Sequence, residues 1–487
     1  MTKLIYYFLT YLLFIYVSYS LSGCKKEKYT ADPNSKLSFS RDSILFDTVF
    51  TQAGSTTRQL LVRNNNSQKI KINSISIREG NNTKFIINVD GQSGKTFSNI
   101  EIAAKDSMYI FIQVYINPTL QNNPFIINDA IVFEVNGNKQ NVILEAWGQN
   151  AYYHYPTDAI KFKDGTYLPY SIISASNNST VTWANDKPHV IYGWCVVDSS
   201  QTLIVPAGTK VYFYQNGGLW TYRYGTLKVQ GIKGNEVIFQ GYRKEPEYAD
   251  EPGQWDRIWI NEGSVNNEIN YAIIKNGFIG IQADLLSDNY GADPRRLKLT
   301  NTKISNMKKW GLYSLGYNIY AGNNVIANCK EQCVNLFLGG NYNFIHCTFA
   351  NFWKKDSRDK TLFSINNYYD NTVFPLDTCN IFNSIIEGNK DSELSIDLKN
   401  TNTSFIPKYY FHYCCIKNQI ISDSHFSNCK FSQSIIFKDK DTYDFSIIDN
   451  NSSNINFSNL SESNKFQTDI NGVNRLINPD AGAYKKN

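Results

Sequence analysis

The chain has 487 residues, enough for two or three domains, and its 29 Phe and 33 Tyr beside only 3 Met favour β-strands. The formal net charge of +5 is small for this length, and no basic run is interleaved with aromatic residues. We therefore expect an all-β protein without a nucleic-acid partner.

The N-terminus, residues 1–23, predicts a secretory signal peptide. Lys3 provides a positive start, residues 4–17 are almost wholly apolar or aromatic, and small residues precede Cys24. An uncleaved transmembrane helix is the alternative, but the apolar stretch is short for one. The motif Leu21-Ser22-Gly23-Cys24 resembles a bacterial lipobox.

The lipobox resemblance implies that cleavage follows Gly23 and that Cys24 is lipidated, so that acyl chains bind the protein to a membrane. Residues 24–36 are polar and contain a Pro, which predicts a short tether. We expect the protein to be anchored in the cell envelope, at the outer membrane of a Gram-negative bacterium. The sequence leaves open whether it faces the periplasm or the cell surface.

Residues 37–150 predict a β-sandwich, because about seven short apolar runs alternate there with Gly, Asn or Asp turns. The order of residues 46–50, Gly54-Ser55, residues 62–64 and Gly148-Gln149 resembles the immunoglobulin-like domains of Bacteroidetes-type lipoproteins. No Cys occurs in this segment, which excludes an intersheet disulfide. Such a domain is either a recognition module or a spacer.

Residues 151–454 predict a right-handed parallel β-helix. The runs Gly225-Thr226-Leu227-Lys228-Val229-Gln230-Gly231 and Trp255-Asp256-Arg257-Ile258 resemble the G-x-L-x-V-x-G and W-x-x-I coils of β-helix proteins among bacterial envelope lipoproteins. The resemblance implies a pectate-lyase-like fold. It implies no chemistry, because that fold carries lyases, hydrolases, adhesins and binding proteins alike.

A five-residue phrase, x-x-[Ile/Phe]-x-[Asn/Gln], recurs within this segment. It occupies residues 272–276, 302–306, 324–328, 347–351, 379–383, 414–418 and 429–433. Its first, third and fifth residues share one strand face, so each phrase is expected to point inward and to end in an amide at a bend. Spacings of 22 and 23 residues before Asn328 and Asn351 match one coil, which predicts about ten coils. The spacing of 15 before Gln433 fits no full coil, so that match or its frame is in doubt.

Residues 455–487 predict a C-terminal cap. The run Pro479-Asp480-Ala481-Gly482-Ala483-Tyr484 resembles the closing segment of many β-helix proteins, although Lys485 stands where they usually have Glu. A solenoid needs such a cap to hide its last open strand edge.

Two charged clusters are the candidates for catalysis. A β-helix lyase holds Ca²⁺ between acidic side chains of successive coils beside an Arg or Lys base, and a glycosidase needs paired carboxylates. The clusters are Asp284, Asp288, Asp293, Arg295 and Arg296 in one insert, and Glu245, Glu247, Asp250, Glu251 and Arg257 around Trp255. Neither matches a lyase motif, and a solvated loop is the preferred interpretation. We predict no catalytic residue, no metal and no cofactor, with Ca²⁺ only under the lyase alternative.

Aromatic residues are the candidates for a sugar-binding platform. An outward row would favour carbohydrate binding and an inward row would belong to the core, and the sequence leaves both open. The candidates are Trp220, Tyr222 and Tyr224, which alternate along one strand, and Trp353, Tyr368 and Tyr369 near inserts.

Cysteines and histidines are scattered along the chain. We prefer an inward ladder of thiols to disulfides, no second Cys pair accompanies Cys329 and Cys333 for zinc, and the histidines form no catalytic pattern. Besides Cys24 the residues are Cys195, Cys329, Cys333, Cys347, Cys379, Cys414, Cys415 and Cys429, with His154, His189, His346, His412 and His425.

The function expected from these features is a non-catalytic role in the cell envelope, with the β-helix binding a polysaccharide or an envelope partner. A polysaccharide lyase or glycoside hydrolase acting on the β-helix flank is the first alternative, and an adhesion or assembly scaffold is the second. Three carboxylates converging beside an Arg or Lys would favour the enzyme. An aromatic row on the flank would favour binding.

Replacing Cys24 with Ala should release the protein from membranes into the soluble periplasmic fraction, because the variant has no sulfur to carry acyl chains. Cell fractionation with a quantitative immunoblot measures this, with the wild-type chain as control. A variant that still sediments with membranes would mean that another feature provides the anchor.

Overall fold

The computed structural model describes residues 10–11, 28–118, 125–261, 263–264, 266–284, 297–400 and 406–486. The chain divides into two compact units, Met1–Asn150 and Ala151–Asn487, each with its own hydrophobic core. The predicted lipidation residue, Cys24, and almost all of the predicted signal peptide lie outside the described residues. Among the residues that are described, no helix has the length and apolar character needed to cross a membrane.

The first unit is a sandwich of two five-stranded sheets. Its strands are β1 (Ser38–Phe39), β2 (Ser43–Phe50), β3 (Arg58–Arg63), β4 (Ile70–Ile77), β5 (Phe85–Val89), β6 (Gln92–Gly94), β7 (Thr96–Ile102), β8 (Ser107–Val114), β9 (Phe125–Val135) and β10 (Asn138–Gln149), with a 3₁₀ helix at Gly80–Asn82. One sheet has the order β1-β3-β8-β5-β6 and the other β2-β10-β9-β4-β7. The described pairings are antiparallel except for that of β2 with β10, which is parallel.

The sandwich forms because its strands alternate apolar and polar positions. In β8, Ile110, Ile112 and Val114 are buried between the sheets, whereas Tyr109 and Phe111 on the opposite face are exposed. This alternation lets each sheet contribute one apolar face to a shared core. The predicted β-sandwich is confirmed.

The second unit is a parallel β-helix with three sides. Its strands are β11 (Tyr152–His154), β12 (Asp158–Lys161), β13 (Tyr167–Ile172), β14 (Thr180–Thr182), β15 (His189–Ile191), β16 (Trp194–Val197), β17 (Thr202–Pro206), β18 (Lys210–Phe213), β19 (Gly218–Thr221), β20 (Thr226–Gln230), β21 (Val237–Gly241), β22 (Ile258–Ile260), β23 (Asn267–Asn270), β24 (Ala272–Lys275), β25 (Ile279–Ala283), β26 (Leu297–Thr300), β27 (Lys303–Ser305), β28 (Trp310–Leu315), β29 (Asn318–Gly322), β30 (Val325–Ala327), β31 (Val334–Phe337), β32 (Gly340–Ile345), β33 (Thr348–Asn351), β34 (Phe363–Asn366), β35 (Tyr368–Tyr369), β36 (Thr372–Val373), β37 (Leu376–Phe382), β38 (Ile385–Gly388), β39 (Leu394–Asp397), β40 (Tyr409–His412), β41 (Cys415–Ile416), β42 (Phe426–Ser427), β43 (Lys430–Phe431), β44 (Phe437–Asp439) and β45 (Asp444–Ile447). A 3₁₀ helix, Pro246–Tyr248, and a short helix α1, Leu460–Ser463, complete the elements.

Most consecutive strands along the chain belong to different sheets, and together they form three long sheets. Sheet 1 has the order β11-β15-β18-β21-β24-β27-β30-β33-β38-β41-β43, sheet 2 the order β12-β13-β16-β19-β22-β25-β28-β31-β34-β39, and sheet 3 the order β14-β17-β20-β23-β26-β29-β32-β37-β40-β42. In sheet 2, β12 pairs antiparallel with β13. The described pairs that follow are parallel, and each strand is aligned with the strand of the next coil with almost no shift. The predicted all-β class with a parallel β-helix is confirmed.

The recurring phrases point inward as expected. Ile274, Ile304, Ile326 and Phe349 are fully buried on the inner face of sheet 1. The amides that end three of these phrases, Asn276, Asn306 and Asn328, have φ of 64°, 58° and 49°. A left-handed residue bends the chain sharply, and Asn tolerates that conformation better than most residues because its side chain can hydrogen-bond locally. Asn306 Nδ2 also donates to Asn276 Oδ1 at 2.8 Å, so neighbouring coils are hydrogen-bonded at this corner.

A second corner, between sheets 3 and 1, uses the same device. Asn301, Asn323, His346 and Asn383 have φ of 50°, 55°, 52° and 50° in successive coils. Asn323 Nδ2 donates to Asn301 Oδ1 at 3.0 Å. The existence of two similar corners explains an error in the predicted register.

The phrase at residues 379–383 lies in sheet 3, not in sheet 1 with the others. Its Asn383 occupies the second corner, and the sheet 1 strand of that coil is β38, in which Ile385 pairs with Thr348 and Cys415. The doubted match at Gln433, in contrast, is in frame, because Lys430 pairs with Cys415. The last turn is short because residues 417–425 connect β41 to β42 without a strand in sheet 2.

The residues that follow β43, which we call the C-terminal segment, pack along the outer face of sheet 1. Outward residues there are small or apolar, including Ala327, Ala350 and Ile385, and they form a second core with Phe445 and Tyr484. This placement differs from the expected cap over the final strand edge. The physical reason is that an apolar outer face must be covered, and the segment covers it.

Polar contacts hold the segment in register on this flank. Arg475, fully buried, donates from Nη1 to Asn323 Oδ1 at 2.6 Å, and Ala483 N donates to Thr348 Oγ1 at 2.9 Å. His346 lies beneath the segment, with Nε2 2.9 Å from Ser463 Oγ. Burial, and then the Arg475 charge, hold the pKa of His346 well below its usual value.

Replacing Phe349 with Asp should destabilise the β-helix by more than about 4 kcal/mol, because it removes a fully buried ring and places an unpaired charge in an apolar core. The matched control is Phe337→Asp, at the half-buried last position of β31 in sheet 2, where the loss should be much smaller. Chemical denaturation followed by circular dichroism measures both. Equal losses would mean that Phe349 does not face the core.

Replacing His346 with Asn should make the β-helix less sensitive to acid. The unfolded chain protonates this His near pH 6.5 while the folded chain does so only at much lower pH, so wild-type stability falls as pH drops below 6.5. For each pH unit below 6.5, the free energy of unfolding of the variant should therefore fall by about 1.4 kcal/mol less than that of the wild-type chain. Asn suits the left-handed corner, since the neighbouring coils have it there. Unfolding free energies at pH 5, 6 and 7.5, compared between the two proteins, test this, and parallel pH profiles would contradict it.

Candidate ligand-binding surface on sheet 2

The outer face of sheet 2 carries a group of tryptophan, amide and charged side chains. In-register pairing places Trp220 of β19 opposite Trp259 of β22, and Trp259 opposite Gln282 of β25. Asn261 directly follows β22 and Asp284 directly follows β25, so both lie just beyond the C-terminal ends of these strands. We call Trp220, Arg257, Trp259, Asn261, Gln282 and Asp284 the Trp–Asp cluster.

The tryptophans of this cluster form a packed outward row. The Trp220 and Trp259 rings are stacked, with centroids 4.8 Å apart and planes 13° from parallel. Trp194 packs edge-on against both, at 6.2 and 6.0 Å, and Tyr222 packs edge-on against Trp220. Trp220 is 7% exposed and Trp259 is half-buried, so neighbouring side chains cover most of the ring surface of this row.

Asp284 is held by three donors from two coils. Trp259 Nε1 and Asn261 Nδ2 donate to its Oδ1 at 2.6 and 2.7 Å, and Gln282 Nε2 donates to its Oδ2 at 2.6 Å. Asn261 Oδ1 in turn accepts from Trp220 Nε1 at 2.6 Å. The carboxylate is therefore fixed in one orientation. Asp284 is 5% exposed, and Oδ2 accepts one described hydrogen bond where an oxygen of this kind can accept two.

Burial dominates the electrostatics of this carboxylate. Desolvation raises the pKa of Asp284, and its three hydrogen bonds and the charge of Arg257 oppose that shift. Arg257 donates from Nη1 to Gln282 Oε1 and from Nε to Asp256 Oδ1. The cluster thus combines a carboxylate, a guanidinium and aromatic edges on a rigid sheet, which suits recognition of a hydroxyl-rich ligand.

Of the two predicted charged clusters, the first contributes Asp284 to this surface. Asp288, Asp293, Arg295 and Arg296 lie outside the described residues. Of the second, Arg257 joins the Trp–Asp cluster.

Two carboxylates of the second cluster, those of Glu245 and Glu251, pair with basic side chains. Glu245 accepts two bonds from Arg243 Nε at 3.0 and 3.2 Å, and Glu251 lies 3.4 Å from Lys355 Nζ. Glu247 lies in the 3₁₀ helix, and the Asp250 carbonyl accepts from Asn306 Nδ2. Among the described residues, no three His, Cys, Asp or Glu side chains are grouped so as to hold a metal ion.

The predicted aromatic candidates separate into different environments. Trp220 and Tyr222 face outward on sheet 2, whereas Tyr224 is 58% exposed at a bend with φ of 62°. Trp255 belongs to the core, where it stacks on Phe213 at 4.4 Å. Trp353 is buried, with Nε1 bonded to Asp356. Tyr368 and Tyr369 form the strand β35 of a two-stranded hairpin.

Sequence reasoning missed Trp259, Asn261 and Gln282. The gap from Trp220 to Trp259 is much longer than the gap from Trp259 to Gln282, so no constant repeat aligns them. A Tyr stack was missed for the same reason. Tyr155, Tyr192, Tyr214 and Tyr242 each follow the end of a sheet 1 strand, and the centroids of successive rings are 4.9, 4.7 and 5.4 Å apart.

The cysteines described by the structure are free thiols, seven of them buried and Cys429 half-buried. Burial raises the pKa of Cys195 and Cys347 to about 12, so both are unreactive. His154 and His189 hydrogen-bond to each other and stack on Trp183, and burial lowers their pKa values to about 3 and 4. These groups stabilise the fold.

No protein-family model and no curated protein matches the chain. Partly similar solved structures include a PapD-like domain of human CEP192, at 12% identity and a TM-score of 0.17, which covers 27% of this chain and 94% of that one. A protein of unknown function from Porphyromonas gingivalis W83, at 10% identity and a TM-score of 0.18, covers 30% and 59%. The periplasmic chaperone SfaE, at 12% identity and a TM-score of 0.17, covers 28% and 71%. Similarities this low carry no argument about function.

Replacing Asp284 with Ala should destabilise the β-helix by about 2–4 kcal/mol, because two buried amides and the indole N–H of half-buried Trp259 lose their acceptor. The matched control is Asp377→Ala, at an exposed position, where the change should stay within about 0.5 kcal/mol. Thermal and chemical unfolding of the two variants measure this difference. If both variants unfold like the wild-type chain, Asp284 is not the acceptor of this network.

Proposed function

We propose that this protein is a lipid-anchored component of the cell envelope of a Gram-negative bacterium that binds a glycan without transforming it. The Trp–Asp cluster on sheet 2 is the proposed binding surface. The observation that carries the proposal is the fixed Asp284 carboxylate at the end of an outward tryptophan row.

A saccharide suits this surface for a physical reason. Its hydroxyl groups can donate to the remaining acceptor position of Asp284 and accept from the guanidinium of Arg257, while its C–H groups pack on the edges of Trp259. The side chains are already ordered by stacking and hydrogen bonds, so binding costs little conformational entropy. The lipid anchor, a prediction from the lipobox, would hold this flank at the envelope, where polysaccharides are abundant ligands.

A second candidate function is a polysaccharide lyase or glycoside hydrolase. The raised pKa of Asp284 favours it, because a general acid needs a carboxyl group that stays protonated at higher pH than usual. The second catalytic group would have to be Asp256, which precedes Arg257 in the sequence and accepts a hydrogen bond from its Nε.

Binding is tested with the Cys24→Ala chain on a glycan array, followed by titration calorimetry with each glycan found. Trp259→Ala and Asp284→Asn should each weaken binding by about tenfold or more, since each removes a contact of about 1–3 kcal/mol. The matched control is Tyr214→Ala, in the Tyr stack of sheet 1, which should bind like the parent. Unchanged affinity in both cluster variants would exclude this surface.

The same glycans distinguish binding from catalysis. Incubation followed by mass spectrometry should leave each glycan intact if the protein only binds. Release of shorter or unsaturated products by the parent chain, lost in Asp284→Asn, would establish the enzyme instead.

A further inference from the structure

A cleft of about 710 Å³ lies beside the C-terminal segment on the flank of sheet 1. Four lysines line it, Lys303, Lys438, Lys485 and Lys486, and we call it the lysine cleft. We propose that the lysine cleft is a second binding site, specific for an acidic oligosaccharide that carries negative charges on several successive residues.

The four lysines come from three separate parts of the chain. Lys303 projects from the outer face of β27, and Lys438 lies in β44 of the terminal hairpin. Lys485 and Lys486 follow the segment that is docked on sheet 1, and their backbone N–H groups donate to Asp469 Oδ2 and Asp480 Oδ2, both at 2.8 Å. Because these carboxylates bind the backbone, the two terminal lysines are positioned at the cleft by a defined structure rather than by a free tail.

The charge of the cleft lining is unbalanced. Asp444 is the single carboxylate among its described lining residues, and it lies 3.0 Å from Lys438 Nζ. Lys303 lies over the ring of Tyr484, with Nζ 5.7 Å from the centroid. Lys486 Nζ donates to Asn450 Oδ1, and Lys485 Nζ donates to the carbonyl oxygens of Ile477 and Asn478. Each ammonium has three donors, so these contacts leave at least one donor of each lysine for a ligand.

The size and the neutral groups of the cleft point to a sugar rather than to a simple anion. Its volume falls within the range of about 300–1,000 Å³ typical of ligand clefts and far exceeds the space that one phosphate or sulfate ion needs. Thr442, Ser446 and Asn471 line it as well, and they can hydrogen-bond to hydroxyl groups. Lysines act as separate point charges, so four of them from three segments suit charges distributed along a chain.

This inference does not depend on the proposed function. The lysine cleft lies against sheet 1, whereas the Trp–Asp cluster lies on sheet 2, and the two share no residue. Either site can fail its test while the other passes.

The experiment uses the full chain carrying Cys24→Ala and measures binding by titration calorimetry at low and at 0.5 M salt. Hexagalacturonate and sulfated maltohexaose serve as carboxylate and sulfate probes, with methyl-esterified hexagalacturonate and unmodified maltohexaose as their neutral counterparts. At least one acidic probe should bind and its neutral counterpart should not, and high salt should weaken binding, since exposed charge interactions are screened. The probe that binds identifies the anionic group.

The variant Lys438→Gln/Lys486→Gln keeps polar side chains but removes two charges, and it should weaken binding about tenfold. The matched control is Lys163→Gln/Lys210→Gln, two exposed lysines that do not line the cleft, which should bind like the parent. Thermal unfolding of both variants confirms that they are folded, and if the cleft variant is not, Lys438→Gln alone is used. The proposal is overturned if neither acidic probe binds, if the neutral probes bind equally well, if the cleft variant binds like the parent, or if inorganic phosphate or sulfate at the same concentration displaces the probe.

Discussion

The second unit depends on one constraint, the in-register stacking of each coil on the next. A single coil cannot bury its Ile, Phe and Leu residues, because its interior is open on both sides until neighbouring coils close it. Parallel pairing between equivalent strands supplies this closure, and the inner columns of sheets 1, 2 and 3 merge into one continuous core. The left-handed Asn residues at two corners make this stacking compatible with a sharply bent chain.

The same stacking organises the outside of the molecule. When inner residues align from coil to coil, the residues between them align too, so outward side chains also form columns. Trp220, Trp259 and Gln282 become neighbours in this way, although they are far apart in the sequence. The Asp284 network therefore depends on register, and a shift of one residue in β25 would move its carboxylate to the opposite face.

On sheet 1 the outward columns are small and apolar, and this has a different consequence. Ala327, Ala350 and Ile385 would expose an apolar strip to water, and the C-terminal segment covers it. Its docking brings Lys485 and Lys486 to the rim of that strip. The lysine cleft is thus a consequence of how one apolar face is covered, and it is built from residues that no sequence motif joins.

Much of the architecture could be predicted from local pattern, because strand periodicity and turn chemistry act over a few residues. Short apolar runs between turn residues predicted the strands of the sandwich, and Ile304 and Phe349 within amide-ended phrases predicted an inward face. The register error at residues 379–383 has the same origin. A five-residue phrase that ends in Asn fits either corner, so local pattern does not show which corner Asn383 occupies. The candidate site was predicted only in fragments, Trp220, Arg257 and Asp284, because its members come from three coils of unequal length.

The composition and order of the residues were sufficient for the all-β class, the sandwich followed by a parallel β-helix, and the inward direction of the repeated Ile and Phe side chains. These properties follow from interactions between residues close in the chain. Which outward residues meet, where the C-terminal segment docks, and which carboxylate is buried followed from the folded chain alone. Inserts of different length change the spacing between equivalent positions, so partners such as Trp259 and Asp284 are brought together by register between coils and not by distance along the sequence.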